Sequence, residues 1–480
     1  MKPPLKMTVI LKMILKKMVL PILLLNSLVS VAQRTSIQDA IYSGTPWFDQ
    51  HQNIVSAHGA NIVKEKGRYY LFGEAHTDTS NAFVGFNCYS SIDLYNWKFE
   101  SVALPLQAAG KLGPNRVGER VKVMKCPQTG EYVMYMHVDS SNYKDQFVGY
   151  ATASTITGPY RFQGPLLFDG KPIKKWDMGT FQDKDGSGYV LTHGGEIYKL
   201  NADYKSVSEQ INNTMTSGFE SPAIFRKDSM YYFLGSHLTS WEKNDNYYYT
   251  ATSLNGPWIA RGIFAPEGTL TWNSQTTFVL PIEGSQDTTY LFMGDRWSYP
   301  KQASSATYIW QPLTVSGTSL SIPTYMEAWQ IDTKTGTAAT VVIDGKTIEH
   351  TDKLISYSGN WQHTVSDSLS LSKDDEEGAS FSIKFSGTRI ALRTLSAPNG
   401  GYAKVTIQNN KGKVISSALI DMYCKFPLTS LTYVSPTLAK NTYTLTVMVT
   451  GEHGNWSDKK KSIYGSTGNF VSLNKIIISE

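Results

Sequence analysis

Five short apolar runs, each introduced by a polar turn and led by a tyrosine, punctuate the chain: "KGRYYLFGE" (66–74), "TGEYVMYMH" (129–137), "GSGYVLTH" (186–193), "DSMYYFLGS" (228–236) and "DTTYLFMGD" (287–295). Runs this short, aromatic-rich and bounded by Gly, Asp and Ser, signal strands. The lead residues Tyr69, Tyr132, Tyr189, Tyr231 and Tyr290 stand 63, 57, 42 and 59 residues apart. A second echo follows several of them: "YSSIDLYNWKF", "TASTITGPYRF" and "TATSLNGPWIA" each read as a strand, a turn and an aromatic-led strand. Repetition on this scale, with no helical periodicity between copies, predicts an all-β chain built around a five-bladed β-propeller, one copy per blade. A sandwich with tyrosine-rich strands is the competing reading, and the matching "GPY" and "GPW" turns weigh against it.

After "SIPTYMEAWQIDTKTG" the aromatic repeat stops and short alternating runs take over. In "SFSIKFSG", Phe381, Ile383 and Phe385 share one face, as do Tyr443, Leu445, Val447 and Val449 in "TYTLTVMV". Period-two alternation with turn clusters such as "APNGG" predicts a C-terminal β-sandwich. The expected division is 36–335 for the propeller and 336–480 for the sandwich.

The N-terminal segment has a lysine-bearing start, an apolar run from Met18 to Leu25 and small residues around Ser30 and Ala32. That layout predicts a signal peptide over 1–32, and the run is too short for a spanning helix. It implies a protein exported from a bacterial cytoplasm, periplasmic or secreted, with no membrane span after cleavage. Losing the five lysines of 1–32 leaves 40 basic against 40 acidic residues, so no basic footprint for nucleic acid remains. Three scattered cysteines, Cys88, Cys126 and Cys424, form no framework; they read as buried thiols, with a Cys88–Cys126 bridge conceivable in an oxidising compartment.

In a propeller the innermost strands converge on one axis, so polar residues at their starts meet in one depression. Glu220 precedes the buried-looking "SPAIF", Asp177 holds the equivalent place in "KWDMGTFQDKDG", Glu119 in "GERVKVM", and Gln275 lies in "TWNSQTTFVLPI". Taken singly, each has a structural explanation, a turn cap or an ion pair such as Glu119 with Arg116 or Arg120. The shared placement favours a site. Two carboxyls over an apolar floor raise one another's pKa and keep one proton near neutral pH, as general-acid attack on a glycosidic oxygen requires. Glu220 is the expected acid, with Asp177 as the neighbour that orients it and keeps it protonated.

The blade starts "AHGANIVKEKGRYYLFGE", "ERVKVMKCPQTGEYVMYMH", "WDMGTFQDKDGSGYVL", "FESPAIFRKDSMYYFLGSHLTSW" and "WNSQTTFVLP", followed by "MGDRW", resemble those of glycoside hydrolase family 43, most closely its exo-β-1,3-galactanase subgroup, over roughly residues 45 to 330. The resemblance implies a five-bladed propeller that inverts the anomeric centre, with the family's acid at Glu220 and its pKa-modulating aspartate at Asp177. Most of the family carries an aspartate base in a His-Asp-Pro-like motif where this chain has "AHGAN" and Gly59. The galactanase subgroup shares that absence. There a glutamine matching Gln275 is taken as the base and a glutamate matching Glu119 binds sugar. An amide holds a proton weakly, so Gln275 either orients the water or acts through a rarer tautomer.

The remaining pocket residues are expected to bind a neutral sugar through aromatic stacking and polar contacts to hydroxyls. Trp241, Trp272 and Trp297 are the platforms, with inter-blade packing the alternative for each. Glu74, Tyr143, Thr239 and Asp295 are the hydroxyl partners, Glu74 by its match to a subgroup sugar-binding glutamate. In the sandwich, Tyr402 and Trp361 contact carbohydrate or serve structure only. "DKDGSG" (183–188) lacks the later glutamate of a calcium loop and reads as a turn; no metal or cofactor is assigned. Three functions compete: an exo-β-1,3-galactanase acting on galactan or arabinogalactan, an arabinofuranosidase or xylosidase on the same fold, and a non-catalytic carbohydrate-binding propeller. Gly59 disfavours the second, and the Glu220–Asp177 pair disfavours the third.

Overall fold

Each tyrosine-led run forms the second strand of a four-stranded antiparallel sheet whose strands follow one another in chain order. The first sheet comprises His58–Glu65, Arg68–Glu74, Gly85–Ser91 and Lys98–Pro105; the second, Arg116–Lys125, Tyr132–Ser140, Phe147–Ala153 and Arg161–Pro165. The third is made of Met178–Gln182, Gly188–Thr192, Glu196–Leu200 and Val207–Asn212, the fourth of Glu220–Lys227, Met230–Ser236, Tyr247–Ala251 and Ile259–Ile263. Gln275–Glu283, Thr288–Arg296, Thr307–Ser316 and Ser319–Ser321 make the fifth. This is a computed structural model, and it describes residue 1 and residues 38–457 and 461–480. The expected signal segment lies outside the described residues. Among them the chain is nearly all β, with only short helical turns such as Leu270–Asn273 and Gln302–Ser305, and no helix is long and apolar enough to cross a membrane.

The second strands read as almost unbroken apolar runs because both of their faces are buried. In the second sheet, Met134, Met136 and Val138 join one core while the alternate Val133 and Tyr135 join another. In the fourth, Tyr231 and Phe233 face one neighbour and Tyr232 and Leu234 the other. Period-two geometry sends successive side chains to opposite faces, so each sheet shares one core with the sheet before it and one with the sheet after it. The fifth core joins the fifth sheet back to the first, through Leu280, Leu291 and Met293 against Ile62, Tyr69 and Leu71. The first strands follow the same cycle, each lying beside the first strand of the next sheet, with that of the fifth beside that of the first.

A short N-terminal strand, Ile41–Tyr42, pairs with Ala328–Asp332, which also pairs with Thr337–Thr340. That hairpin straddles the position where the pattern change predicted a boundary. Beyond it, a four-stranded sheet (Lys346–Glu349, Lys475–Ser479, Arg389–Ser396, Leu428–Val434) and a five-stranded sheet (Ile355–Ser358, Ser380–Gly387, Asn441–Val449, Tyr402–Asn409, Val414–Asp421) share one apolar core. Phe381, Ile383 and Phe385 enter that core with Tyr443, Leu445, Val447 and Val449, as their alternation predicted. Trp361 is packed in the same core at 8% exposure and Tyr402 is 1% exposed, so neither offers a ring to external carbohydrate. The three cysteines are free and buried, so the conceivable Cys88–Cys126 bridge is not formed.

These C-terminal sheets dock on the fourth and fifth sheets. The Asn273 side chain exchanges two 2.9 Å hydrogen bonds with the backbone of Phe426, and the Ser298 hydroxyl donates to Asp421 at 2.8 Å. Tyr423 donates its hydroxyl to Glu242 at 2.5 Å. Residues 38–457 and 461–480 belong to one compact unit.

Candidate active site

A recurrent backbone irregularity turns the polar residues into one cavity. In four of the five sheets the register slips within the first strand: between His58 and Asn61, Glu119 and Lys122, Glu220 and Ala223, and Thr276 and Phe278. A bulge of this kind bends the strand and re-aims its side chains. Left-handed backbone accompanies three of these slips, at Gly59 (φ 59°), Arg120 (55°) and Ser221 (57°), and also occurs just before the first strands of the third and fifth sheets, at Asp177 (47°) and Asn273 (57°). For the non-glycine residues this conformation costs on the order of 1–3 kcal/mol each. Glu119, Asp177, Glu220 and Gln275 thereby meet in the wall of a cavity of about 1060 Å³, which Glu74, Tyr143, Trp241 and Trp297 also line.

Arg120, which the sequence offered only as an ion-pair partner for Glu119, is the hub. Its Nε lies 2.5 Å from Asp177 Oδ1, its Nη2 donates to Gln275 Oε1 at 2.6 Å, and its backbone N–H donates to Glu74 Oε1 at 2.7 Å. Burial opposes its charge, but Asp177, Glu74, Asp295 and Glu220 outweigh that and raise its pKa. The other Asp177 oxygen accepts from the backbone N–H of Ser221 and from its hydroxyl. Beneath Arg120, Lys122 is buried and donates to the Gly59 carbonyl at 2.6 Å; burial and then the charge of Arg120 pull its ammonium down to about 7.

The orientation of Gln275 follows from its neighbours. Trp297 Nε1 donates to the same Oε1 at 2.8 Å as Arg120 does. Neither indole nor guanidinium can accept, so the amide oxygen must face them. The amide nitrogen therefore faces the other way, donating to Glu220 Oε1 at 2.9 Å and to Ser236 Oγ at 3.0 Å. Burial pushes the Glu220 carboxyl well above the usual range, the charge of Asp177 pushes it further, and Arg120 and the Gln275 N–H pull back without cancelling the rise. With Oε1 taken by an amide donor, the carboxylic proton belongs on Oε2.

A second polar cluster stands beside this one. Glu119 accepts from the Tyr143 hydroxyl at 2.7 Å and lies 3.1 Å from His137 Nδ1; His137 Nε2 is 3.3 Å from Asp139. Burial opposes the His137 charge, but Asp139 and Glu119 prevail and lift the imidazole to about 9. Glu74 reaches His76 Nε2 at 3.1 Å through its remaining oxygen. A Cβ built on Gly59 would stand 1.9 Å from Glu74 Oε1. The carboxylate of Glu74 thus fills the space into which a side chain at position 59 would project.

Three expected sugar contacts do not line the cavity. Asp295, 1% exposed, lies 3.1 Å from His58 Nδ1 and accepts from the Gly59 N–H at 3.0 Å, supporting the first strand from behind. Thr239 donates to the Glu242 carbonyl and accepts from Asn244, both at 2.7 Å, fixing the turn from which Trp241 reaches the cavity. Trp272 packs against Tyr325 and Phe426 and donates to the Ile322 carbonyl at 3.3 Å. Its polar atom is spent on the segment that follows the fifth sheet, and its ring on the docking of the C-terminal region. Trp176, stacked on His193 with centroids 3.5 Å apart, lines the cavity although the sequence did not single it out. Its place directly before Asp177 was the available signal. The "DKDGSG" stretch forms a turn closed by Gly186 N–H to Asp183 O at 2.9 Å, with Asp183 held by Arg226 and Tyr231.

Residues 52–260 match the profile of glycosyl hydrolases family 43. The fold is similar to that of an exo-β-1,3-galactanase from Phanerochaete chrysosporium, solved with galactose: 28% identity, 92% of this chain and 100% of that one covered, TM-score 0.69. A Glu-to-Gln variant of that enzyme, solved with β-1,3-galactotriose, gives 29% identity, the same coverage and a TM-score of 0.68. A candidate exo-β-1,3-galactanase from Bifidobacterium bifidum s17 is 36% identical, over 58% of this chain and 95% of that one, with a TM-score of 0.55. An extracellular endo-α-(1→5)-L-arabinanase of Bacillus subtilis is 23% identical over 237 residues, 42% of this chain and 47% of the arabinanase, so the match spans about half of that protein.

Proposed function

The chain belongs to glycoside hydrolase family 43 and is a glycosidase, and from that premise we propose that it is an exported, inverting exo-β-1,3-galactanase that releases galactose from β-1,3-galactan or arabinogalactan. The reading includes a five-bladed propeller over 36–335, supported by five sheets that share cores in cyclic order, and an ancillary sandwich over 336–480. Export is supported by the apolar stretch Met18–Leu25 and by the extracellular arabinanase relative.

The observation that carries the activity is the setting of Glu220. It is the one carboxyl of the network pushed well above its usual range, and its inner oxygen is fixed by Gln275. A protonated Glu220 presents Oε2–H to the glycosidic oxygen. As the bond from that oxygen to C1 breaks, the proton passes to the departing sugar and water adds to C1 from the opposite face; the proton that water loses passes to bulk solvent, from which Glu220 is reprotonated. Asp177 raises the affinity of Glu220 for its proton and anchors Arg120. Gln275 accepts two hydrogen bonds on its oxygen and donates both amide N–H groups to Glu220 and Ser236, so its role is to orient Glu220 rather than to take up the water's proton. Glu74, Glu119 and Tyr143 hold the hydroxyls of the terminal galactose. Support for galactan over other sugars comes from Gly59 with Glu74 in its space, and from the galactanase likenesses.

The test is product analysis of the purified protein on β-1,3-galactan, α-1,5-arabinan and xylan, with proton NMR of the first-formed anomer and Glu220→Gln in parallel. Galactose appearing first as the α-anomer from the wild type, with none from the variant, is expected. Arabinose or xylose would move the substrate within the family, and binding of galactan without any release would make this a carbohydrate-binding propeller.

A further inference from the structure

The cavity is not built by the five sheets alone. Trp456, Ser457 and Tyr464 also line it, and they come from a hairpin of the C-terminal region, Asn455–Ser457 paired with Ile463–Gly465. Its seating depends on two glycines. A Cβ on Gly454 would stand 2.7 Å from the Tyr299 carbonyl and 2.9 Å from the Tyr402 hydroxyl, and one on Gly465 (φ 101°) would stand 2.3 Å from the Gly454 carbonyl. Backbone therefore packs on backbone where the hairpin meets the segment after Trp297.

From there an aromatic series runs back to the reacting groups. Tyr464 and Trp456 are stacked at 5.9 Å and 19°, and Trp456 meets Tyr299 edge-on at 6.5 Å. Tyr299 lies parallel to Trp241 at 5.9 Å and 3°, and Trp241 abuts Trp297, whose indole holds Gln275. The cavity is thus chemically divided. Glu74, Glu119, Tyr143 and Asn81 gather polar groups in one part of the lining, and the rings lead from Trp297 away to the C-terminal hairpin. A terminal galactose has the most free hydroxyls and suits the polar side. The rest of a β-1,3-linked chain, whose sugars each offer an apolar C–H face, suits the rings.

Resting on the galactanase reading, we infer that Trp456 and Tyr464 form a binding platform for galactosyl residues on the leaving-group side of the scissile bond. The C-terminal region thereby takes part in substrate recognition inside the cavity itself.

The experiment compares kcat/KM on β-1,3-linked galactobiose, -triose and -tetraose for the wild type, Trp456→Ala and Tyr464→Ala. Ile463→Ala, at an exposed position of the same hairpin outside the cavity lining, serves as the control. Each platform variant should lower the tetraose-to-biose ratio of kcat/KM by roughly three- to tenfold, chiefly through KM, while the control keeps the wild-type ratio. Trp456→Phe, which preserves the fold but loses the N–H and ring area, should fall between. A ratio unchanged in the platform variants, or one equally lowered in Ile463→Ala, overturns the inference while leaving the galactanase reading intact. Absence of galactose from every length with the wild type overturns that reading first, and the inference with it.

Discussion

Gln275→Glu distinguishes an orienting glutamine from a proton-accepting one. The substitution is nearly isosteric and puts a second carboxyl oxygen where the amide nitrogen now stands, 2.9 Å from Glu220 Oε1. Two full charges at that separation repel by about 5.7 kcal/mol at an effective dielectric of about 20, equivalent to about four pKa units, so the pair cannot ionise together near neutral pH. Arg120 and Trp297 donate to the other oxygen at 2.6 and 2.8 Å and favour charge on the introduced carboxylate. Glu220 then keeps its proton but turns it inward, into the short bond between the two carboxyls. General-acid assistance, worth roughly 10²–10⁴ in rate, is withdrawn at neutral pH. It returns on acidification, when the introduced carboxyl is itself protonated and again donates to Glu220 Oε1 as the amide does. The assay is the pH dependence of kcat on β-1,3-galactobiose from pH 3 to 8, with thermal unfolding as the check on integrity. A kcat near pH 7 equal to or above that of the wild type would refute the reasoning, because a carboxylate at 275 would then be acting as the base.

Three further outcomes are expected. Asp177→Asn removes the charge that helps hold Glu220 protonated, so the alkaline limb of the kcat/KM profile should move to lower pH; because Arg120 loses a buried carboxylate, unfolding free energy should fall by about 3–5 kcal/mol. A limb that stays in place would separate Asp177 from the acid. His137, lifted from 6.5 to about 9 by Asp139 and Glu119 against burial, stabilises the fold fully below pH 6.5 and ceases to do so as pH rises through 9, a loss of about 3 kcal/mol; urea titrations at pH 6 and 10 should show it in the wild type and not in His137→Gln. Gly59→Ala places a methyl against Glu74 Oε1 on left-handed backbone. KM for galactobiose should then rise several-fold and the unfolding midpoint should drop, and wild-type values for both would show that Glu74 is free to move.

The sheets were readable because their code is local. Tyr69, Tyr132, Tyr189, Tyr231 and Tyr290 each open a second strand and are each buried, and the alternation through Phe381 and Leu445 marks a core face directly. The four polar residues at the strand starts were readable for the same reason, since their positions repeat. What sequence did not yield is whatever depends on how the sheets come together. Arg120 follows Glu119 by one residue and looks like its surface partner; only the bulge and its left-handed backbone send the guanidinium to Asp177 and Gln275. Asp295 and Trp272 stand near motif residues in the chain, but the register turns one toward His58 and the other toward Phe426. Trp456 and Tyr464 lie far beyond the repeats, in a polar, lysine-rich stretch that carries no repeat motif.

The pairing of Ile41–Tyr42 with Ala328–Asp332 has a consequence for biosynthesis. As the ribosome delivers the chain, the first sheet can assemble early, yet the side bearing Ile62, Tyr69 and Leu71 has no cover until Leu280, Leu291 and Met293 have been made. The early sheets must therefore wait with an oily flank exposed, a state prone to aggregation. The N-terminal strand can fasten to its partner only after the last of the five sheets has emerged. A chain halted before Gln275 has been made holds Glu220 without the amide that fixes it, so the acid is completed only with the last of the five sheets.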